Sequence, residues 1–312
     1  MKPLSKALSR KSLPILFFLI LFFSSGFSQI RNIQWERISH SGIIVFHTKK
    51  DKKNAEQILS QLVNAYPQIA SEIGGQSKDS IYVHLTPSEL IYRKFVGEHF
   101  PRWSEGAAYS ARNIIILKSP RFSTRRGNVH TTAIHELTHI LLNNAVRGNP
   151  VPRWFNEGLA VYYSGEKMYT SGSLISKALI SKSIISLEDI DKVLKFHKDK
   201  AHLAYQQSYL AVRYLFEQFG KAKVKQIIFL MGQGQNIDGA MSATIGMDFF
   251  DFEYDWYHHL QKKYRWHFLM DFDTYLWIFI LLLFLFGFMI IRYRNRQTIK
   301  RWEIEDEMDD VW

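Results

Sequence analysis

His135-Glu136-Leu137-Thr138-His139 decides the reading of this chain. On an α-helix, residues four apart differ by only about 40° around the axis. Both imidazoles therefore point the same way, with Glu136 beside them. Two neutral imidazoles so placed can share one zinc ion, and the carboxylate can take a proton from water that the ion activates. With 12 His in 312 residues, chance would place this pattern about 0.02 times per chain, so the match carries information. Its neighbours fit a helix: Ala133, Ile134, Leu137, Ile140 and Leu141 are available to pack, and the spacing predicts a helix over residues 129–143. A helix carrying two histidines with structural partners only is the bland alternative.

A catalytic zinc takes three protein ligands and keeps an open position. Working outward, Glu157 is the candidate third ligand, in Pro152-Arg153-Trp154-Phe155-Asn156-Glu157-Gly158-Leu159-Ala160. The residues between His139 and Glu157 suffice for a turn and an antiparallel helix. By itself, Glu157 reads equally as a surface helix glutamate.

Together, His135-Glu136-Leu137-Thr138-His139 and Trp154-Phe155-Asn156-Glu157-Gly158-Leu159-Ala160 resemble the gluzincin metallopeptidases. The nearer likeness is to their aminopeptidase branch and to the small peptidase-MA-like domains of bacteria, and it covers most of residues 35–266. The resemblance implies one Zn2+ per chain, with His135, His139 and Glu157 as ligands and Glu136 as general base and proton shuttle. It also implies a peptide or protein substrate. Tyr205-Gln206-Gln207-Ser208 looks like the segment carrying that branch's transition-state tyrosine, so Tyr205 would donate to the developing oxyanion.

The chain departs from that pattern twice. Gly106-Ala107-Ala108-Tyr109-Ser110 has Tyr109 where the aminopeptidases place a Glu that binds the substrate's free amine. Endopeptidase action is thus expected over aminopeptidase action, with the strand still able to hold an extended peptide by strand addition. Position 161 is Val, where many gluzincins have an Asp, so the partner orienting a ligand imidazole stays unidentified. His130 is about 140° round the helix from His135 and is expected at the surface. The rival class of function is a catalytically inactive, zinc-stabilised binding or assembly module on a membrane.

The two ends differ in composition from the middle. Lys2, Lys6, Arg10 and Lys11 precede an apolar run over residues 13–23, followed by small residues up to Ser28, which reads as a secretory signal over residues 1–28. Tyr275 to Ile291 carries no charge and reads as a transmembrane helix at the short end of the spanning range. Arg292, Arg294, Arg296, Lys300 and Arg301 follow it, so the positive-inside rule puts the tail, 292–312, in the cytoplasm and the remainder outside.

The formal charge is +11. Removing the leader's +4 and the tail's −1 leaves +8 on the outer part, a mild basic excess suited to anionic surfaces. No nucleic-acid module accompanies it. The chain has no cysteine, which excludes disulfides, thiolate metal sites and a cysteine nucleophile.

In between, Gly42 to Thr48 and Ser80 to Thr86 read as strands, with a third strand within Ala107 to Leu117. Helices are expected at 52–73, 156–164, 204–219, 222–231 and 250–264, with a short one after Pro87. The expected class is α+β: a small mixed-sheet lobe (29–120), then a helical catalytic lobe (121–266) of zincin type, with a cleft between them and one C-terminal transmembrane helix.

Overall fold

The computed structural model describes residues 33–77, 79–97, 100–101, 103–123, 129–170, 172–195, 198–265 and 272–309. The expected signal, 1–28, lies outside the described residues. In chain order the elements are β1 (Glu36–His40), β2 (Ile43–His47), α1 (Lys52–Ile73), β3 (Ile81–Thr86), α2 (Glu89–Val96), β4 (Gly106–Tyr109) and β5 (Ile114–Lys118). There follow α3 (Val129–Ala145), α4 (Arg153–Ser164), α5 (Lys167–Thr170), α6 (Ser173–Ile180), α7 (Lys198–Gly232), α8 (Ile237–Ile245), α9 (Phe249–Tyr264) and α10 (Phe272–Asp309). The class is α+β, a five-stranded sheet followed by a helical lobe, as expected.

The sheet order is β1-β2-β3-β5-β4. β2, β3 and β5 run parallel in the centre, and β1 and β4 are antiparallel edges. β2 and β3 alternate: Ile43, Val45, Ile81, Val83 and Leu85 are buried on one side. β1 was not foreseen. Its residues, ERISH, are polar and almost wholly exposed, so no alternation marks them. Ser41 and Gly42, both at positive φ, close it onto β2 as a two-residue hairpin.

The single strand expected within Ala107 to Leu117 is corrected to two. A 3-10 turn over Ser110–Arg112 and Asn113 in the left-handed region reverse the chain, and Tyr109 then pairs with Ile114. The turn has neither Gly nor Pro to announce it.

Helices cover both faces of the sheet. α1 and α3 pack on one face, where Ile58, Leu62, Leu137, Ile140 and Leu141 are fully buried. Each such side chain contributes on the order of 1.5–3 kcal/mol relative to exposure. α2 covers the other face through a smaller cluster of Tyr92, Val96, Ala107 and Ile116.

α4 lies against α3 and α7. It begins three residues before the expected start, because Pro152 stands at its N-cap with a fixed φ and leads directly into the first turn. The expected helices 204–219 and 222–231 are two segments of α7 meeting at Gly220, whose φ of 76° breaks the helical path. α8, capped by Asn236, was not anticipated.

α4 meets α7 at Gly158. A Cβ there would stand 2.3 Å from the Ser208 carbonyl oxygen and 2.5 Å from Val212 Cγ2. Only glycine lets the two backbones approach so closely. α10 contains a candidate span within Tyr275–Trp302, whose most apolar 18-residue window has a mean hydropathy of 2.4 and is not buried against the rest of the described chain; it is long and apolar enough to cross a membrane.

Candidate metal centre

α3 carries His135, Glu136 and His139; His135 and Glu136 are buried and His139 is partly buried. α4 brings Glu157 to them, 5% exposed. The Glu157 Oε2 atom stands 3.4 Å from His135 Nε2 and 3.6 Å from His139 Nε2. One ligand atom from each of the three residues lies within 4.8 Å of the other two. His135, His139 and Glu157, singled out in sequence, are therefore brought together.

The two Glu157–imidazole separations suit a shared ion. Ligands about 2.0–2.1 Å from zinc at tetrahedral angles stand about 3.3 Å apart. Glu157 Oε2 is buried and has no hydrogen-bond partner among the described residues. A buried carboxylate oxygen is costly to leave unpaired, so the orphaned atom fits a cation held between the two imidazoles. The residues can hold a metal ion.

The outer groups fix how each ligand faces inward. His139 Nδ1 is 2.7 Å from Asn156 Oδ1. With Nδ1–H donating to that carbonyl, the Nε2 lone pair is left facing Glu157. Arg153 Nη2 lies 3.1 Å from Glu157 Oε1, occupying that oxygen and leaving Oε2 for the centre. Glu166, in the turn after α4, places Oε1 3.7 Å from His135 Nδ1. Glu166 is thus the acid nearest the outer nitrogen of the His135 ring, whose partner the sequence left unidentified.

Sequence reasoning missed all three outer groups. Arg153 had a visible signal, its i,i+4 spacing to Glu157. Asn156 and Glu166 had none, since their partners are distant in sequence.

Charge in the centre is concentrated. Burial works against the Glu157 carboxylate, yet the His135 ring, His139 and Arg153 hold it down at about 2. Burial also lowers the His135 imidazole, but Glu166, Glu157 and Glu136 outweigh it and bring it up to about 9. His139 falls to about 4, driven by burial and opposed by Glu157. The site thus keeps an ionised acid in a buried pocket and demands a positive charge beside it, which a proton on His135 or a metal ion can provide.

Glu136 lies next to the ligands but is not one of the cluster. Burial lifts its carboxyl to about 7, with His135 opposing and Glu157 and Glu166 adding to the rise. That value lets it both accept and return a proton near neutrality. Its side chain is pressed on the edge strand, where a Cβ at Gly106 would sit 2.9 Å from Glu136 Oε1 and 2.8 Å from Thr132 Cγ2.

Tyr205, from α7, lines the same cleft of about 490 Å3 as His135, Glu136 and Gly106. Its ring centroid is 6.4 Å from that of His135 and 5.2 Å from that of Tyr169. Burial, followed by Glu157, raises its hydroxyl well above the ordinary tyrosine value, so it stays protonated and able to donate.

Two further residues fall elsewhere. The Tyr109 hydroxyl donates to the Phe95 carbonyl at 3.0 Å, on the α2 side of the sheet. His130 is half-buried rather than at the surface, and burial lowers its pKa. It does not join the cluster.

A sequence model of the peptidase MA superfamily matches residues 62–262, from the middle of α1 to near the end of α9. Among curated proteins, none matches the chain.

Proposed function

The chain belongs to the peptidase MA superfamily, and on that premise we propose that it is a zinc-dependent peptidase of the gluzincin type, with His135, His139 and Glu157 as the zinc ligands. The observation that carries this reading is the orphaned Glu157 Oε2, buried opposite two imidazole Nε2 atoms at 3.4 and 3.6 Å. Two imidazoles and one carboxylate are a donor set suited to zinc with an open position. Bound there, zinc would supply the Lewis acid that polarises a scissile carbonyl and acidifies the attacking water.

The chain's own residues supply the rest. Glu136 accepts the proton of the attacking water and returns it to the leaving amine nitrogen, a cycle its raised pKa of about 7 favours. Tyr205, kept protonated by burial, donates a hydrogen bond to the carbonyl oxygen as charge develops on it. Asn156 fixes the His139 tautomer, and Arg153 keeps Glu157 turned inward. β4, an edge strand of the sheet among the described residues, borders the cleft and offers main-chain groups to an extended peptide.

Cleavage within chains is favoured over removal of N-terminal residues. Tyr109 turns away to Phe95 and provides no carboxylate for a free amine. Glu105 accepts from Ser123 at 2.7 Å, and Glu166 faces His135. Besides Glu136, these are the acids that line the cleft, and each already faces a partner within the protein.

We further assign the apolar segment of α10 as a membrane anchor, with the peptidase domain outside the cytoplasm and the basic tail within. The test is zinc content of the purified full chain, combined with cleavage-site profiling on denatured proteins with and without chelator. One zinc per chain and chelator-sensitive internal cleavage are expected. Cleavage that survives complete zinc removal would sink the reading.

A further inference from the structure

Away from the cleft, a second concavity of about 890 Å3 lies between α6 and α9. α9 is apolar on two sides. Phe252, Trp256, Leu260 and Tyr264 form its buried stripe. Phe250, Tyr254, Tyr257, Gln261 and Arg265 follow one another at helical spacing along another side and line the concavity. Phe250 is 71% exposed, Tyr254 64%, and Ile180, across the groove on α6, 52%. One apolar stripe suffices to seat a helix on its core, so the second is left over.

Two of the three charged residues lining this face are cations. Lys182 and Arg265 line it at its rim. Its one lining carboxylate, Glu253, is taken up internally, accepting from the Leu187 amide at 2.6 Å. Asp251 and Asp255 fall about 100° and 140° round the helix from Phe250. Aromatic and aliphatic side chains edged by cations are the composition of a surface that lies in the headgroup region of a bilayer.

Position along the chain identifies the occupant. α9 ends at Tyr264, and α10 begins at Phe272. Eight steps of about 3.5 Å reach at most about 28 Å, so the end of α9 is tethered close to any membrane that α10 enters. We propose that the α6–α9 face rests on that bilayer, burying Phe250 and Tyr254 at the interface while Lys182 and Arg265 meet anionic lipid headgroups. The proposal rests on the reading of α10 as a span, and its test separates the two.

Because the chain has no cysteine, single thiols can be introduced cleanly. A nitroxide would be attached in turn to F250C, Y254C, L283C and E56C in the full chain, reconstituted in nanodiscs rich in anionic lipid. Its collision with oxygen and with a water-soluble nickel chelate would then be compared. Glu56, 54% exposed on α1, reports water, and Leu283, within the apolar segment of α10, reports lipid.

The oxygen-to-nickel ratio at positions 250 and 254 is expected to exceed that at 56 several-fold and to approach that at 283, consistent with a depth of about 5–10 Å. Replacing anionic by zwitterionic lipid is expected to lower it. Lipid contact at 283 with water contact at 254 would overturn the docking and leave the span intact. Water contact at 283 would remove the span and the docking together. Shielding of 254 from both reagents would identify a second copy or another protein as the occupant, and so overturn the proposal. A ratio indifferent to lipid charge would overturn the headgroup assignment.

Discussion

The two walls of the cleft are built differently. The helical wall, α3, α4 and α7, holds the His135–His139–Glu157 cluster, Glu136 and Tyr205, all but the partly buried His139 buried among apolar neighbours. The sheet wall contributes Gly106 and the open edge of β4, which is backbone and space. On the proposed function, the difference assigns reactivity to side chains held by helix packing and accommodation to a strand that can pair. Substitutions on the helical wall should cost chemistry, and substitutions on the sheet wall should cost fit.

The sharpest break is Glu136→Gln. It keeps the shape of the side chain and removes the proton acceptor, so turnover should fall by about 10²–10⁴. Zinc content and melting temperature should be unchanged. Undiminished turnover would refute the assigned role.

Tyr205→Phe should come next, with kcat down by about 10²-fold and zinc content constant. A rise in KM alone would show that Tyr205 only shapes the cleft. On the sheet wall, Gly106→Ala forces a Cβ to within 3 Å of Glu136 and Thr132. Overpacking of this kind costs about 1–3 kcal/mol. Thermal unfolding should show the loss, and because the Cβ meets the Glu136 carboxylate where the two walls touch, kcat should fall as well as KM rise. The smallest effect is expected for Glu166→Gln, which leaves the ligands in place and weakens the hold on His135 Nδ1. Zinc affinity measured by competition with a chelator should drop about tenfold, with little change in melting of the zinc-free chain.

What the sequence disclosed follows the same division. His135, Glu136 and His139 were legible because their relation is local, fixed by helical periodicity over five residues. Glu157 became legible through the second motif and the resemblance it carries. Asn156 and Glu166 were not legible as partners, since their contacts depend on how α3, α4 and the following turn pack. In the sheet, β2 and β3 announced themselves by buried β-branched residues, while β1 is an exposed edge with no apolar pattern. The β4–β5 reversal was hidden in Ser110 to Asn113, which has neither Gly nor Pro and only the weaker turn signals of Ser110 and Asn113. α8 and the helices between 165 and 180 are short, and short helices owe more to packing than to propensity.

The contact of Gly158 with Ser208 sets a mechanical limit. With the α4 and α7 main chains already touching, that junction behaves as a fixed jaw, unable to twist or slide without collision. Widening that admits a polypeptide is then left to the opposite jaw, at β4, which borders the opening. Catalytic groups would then hold their spacing while the entrance yields.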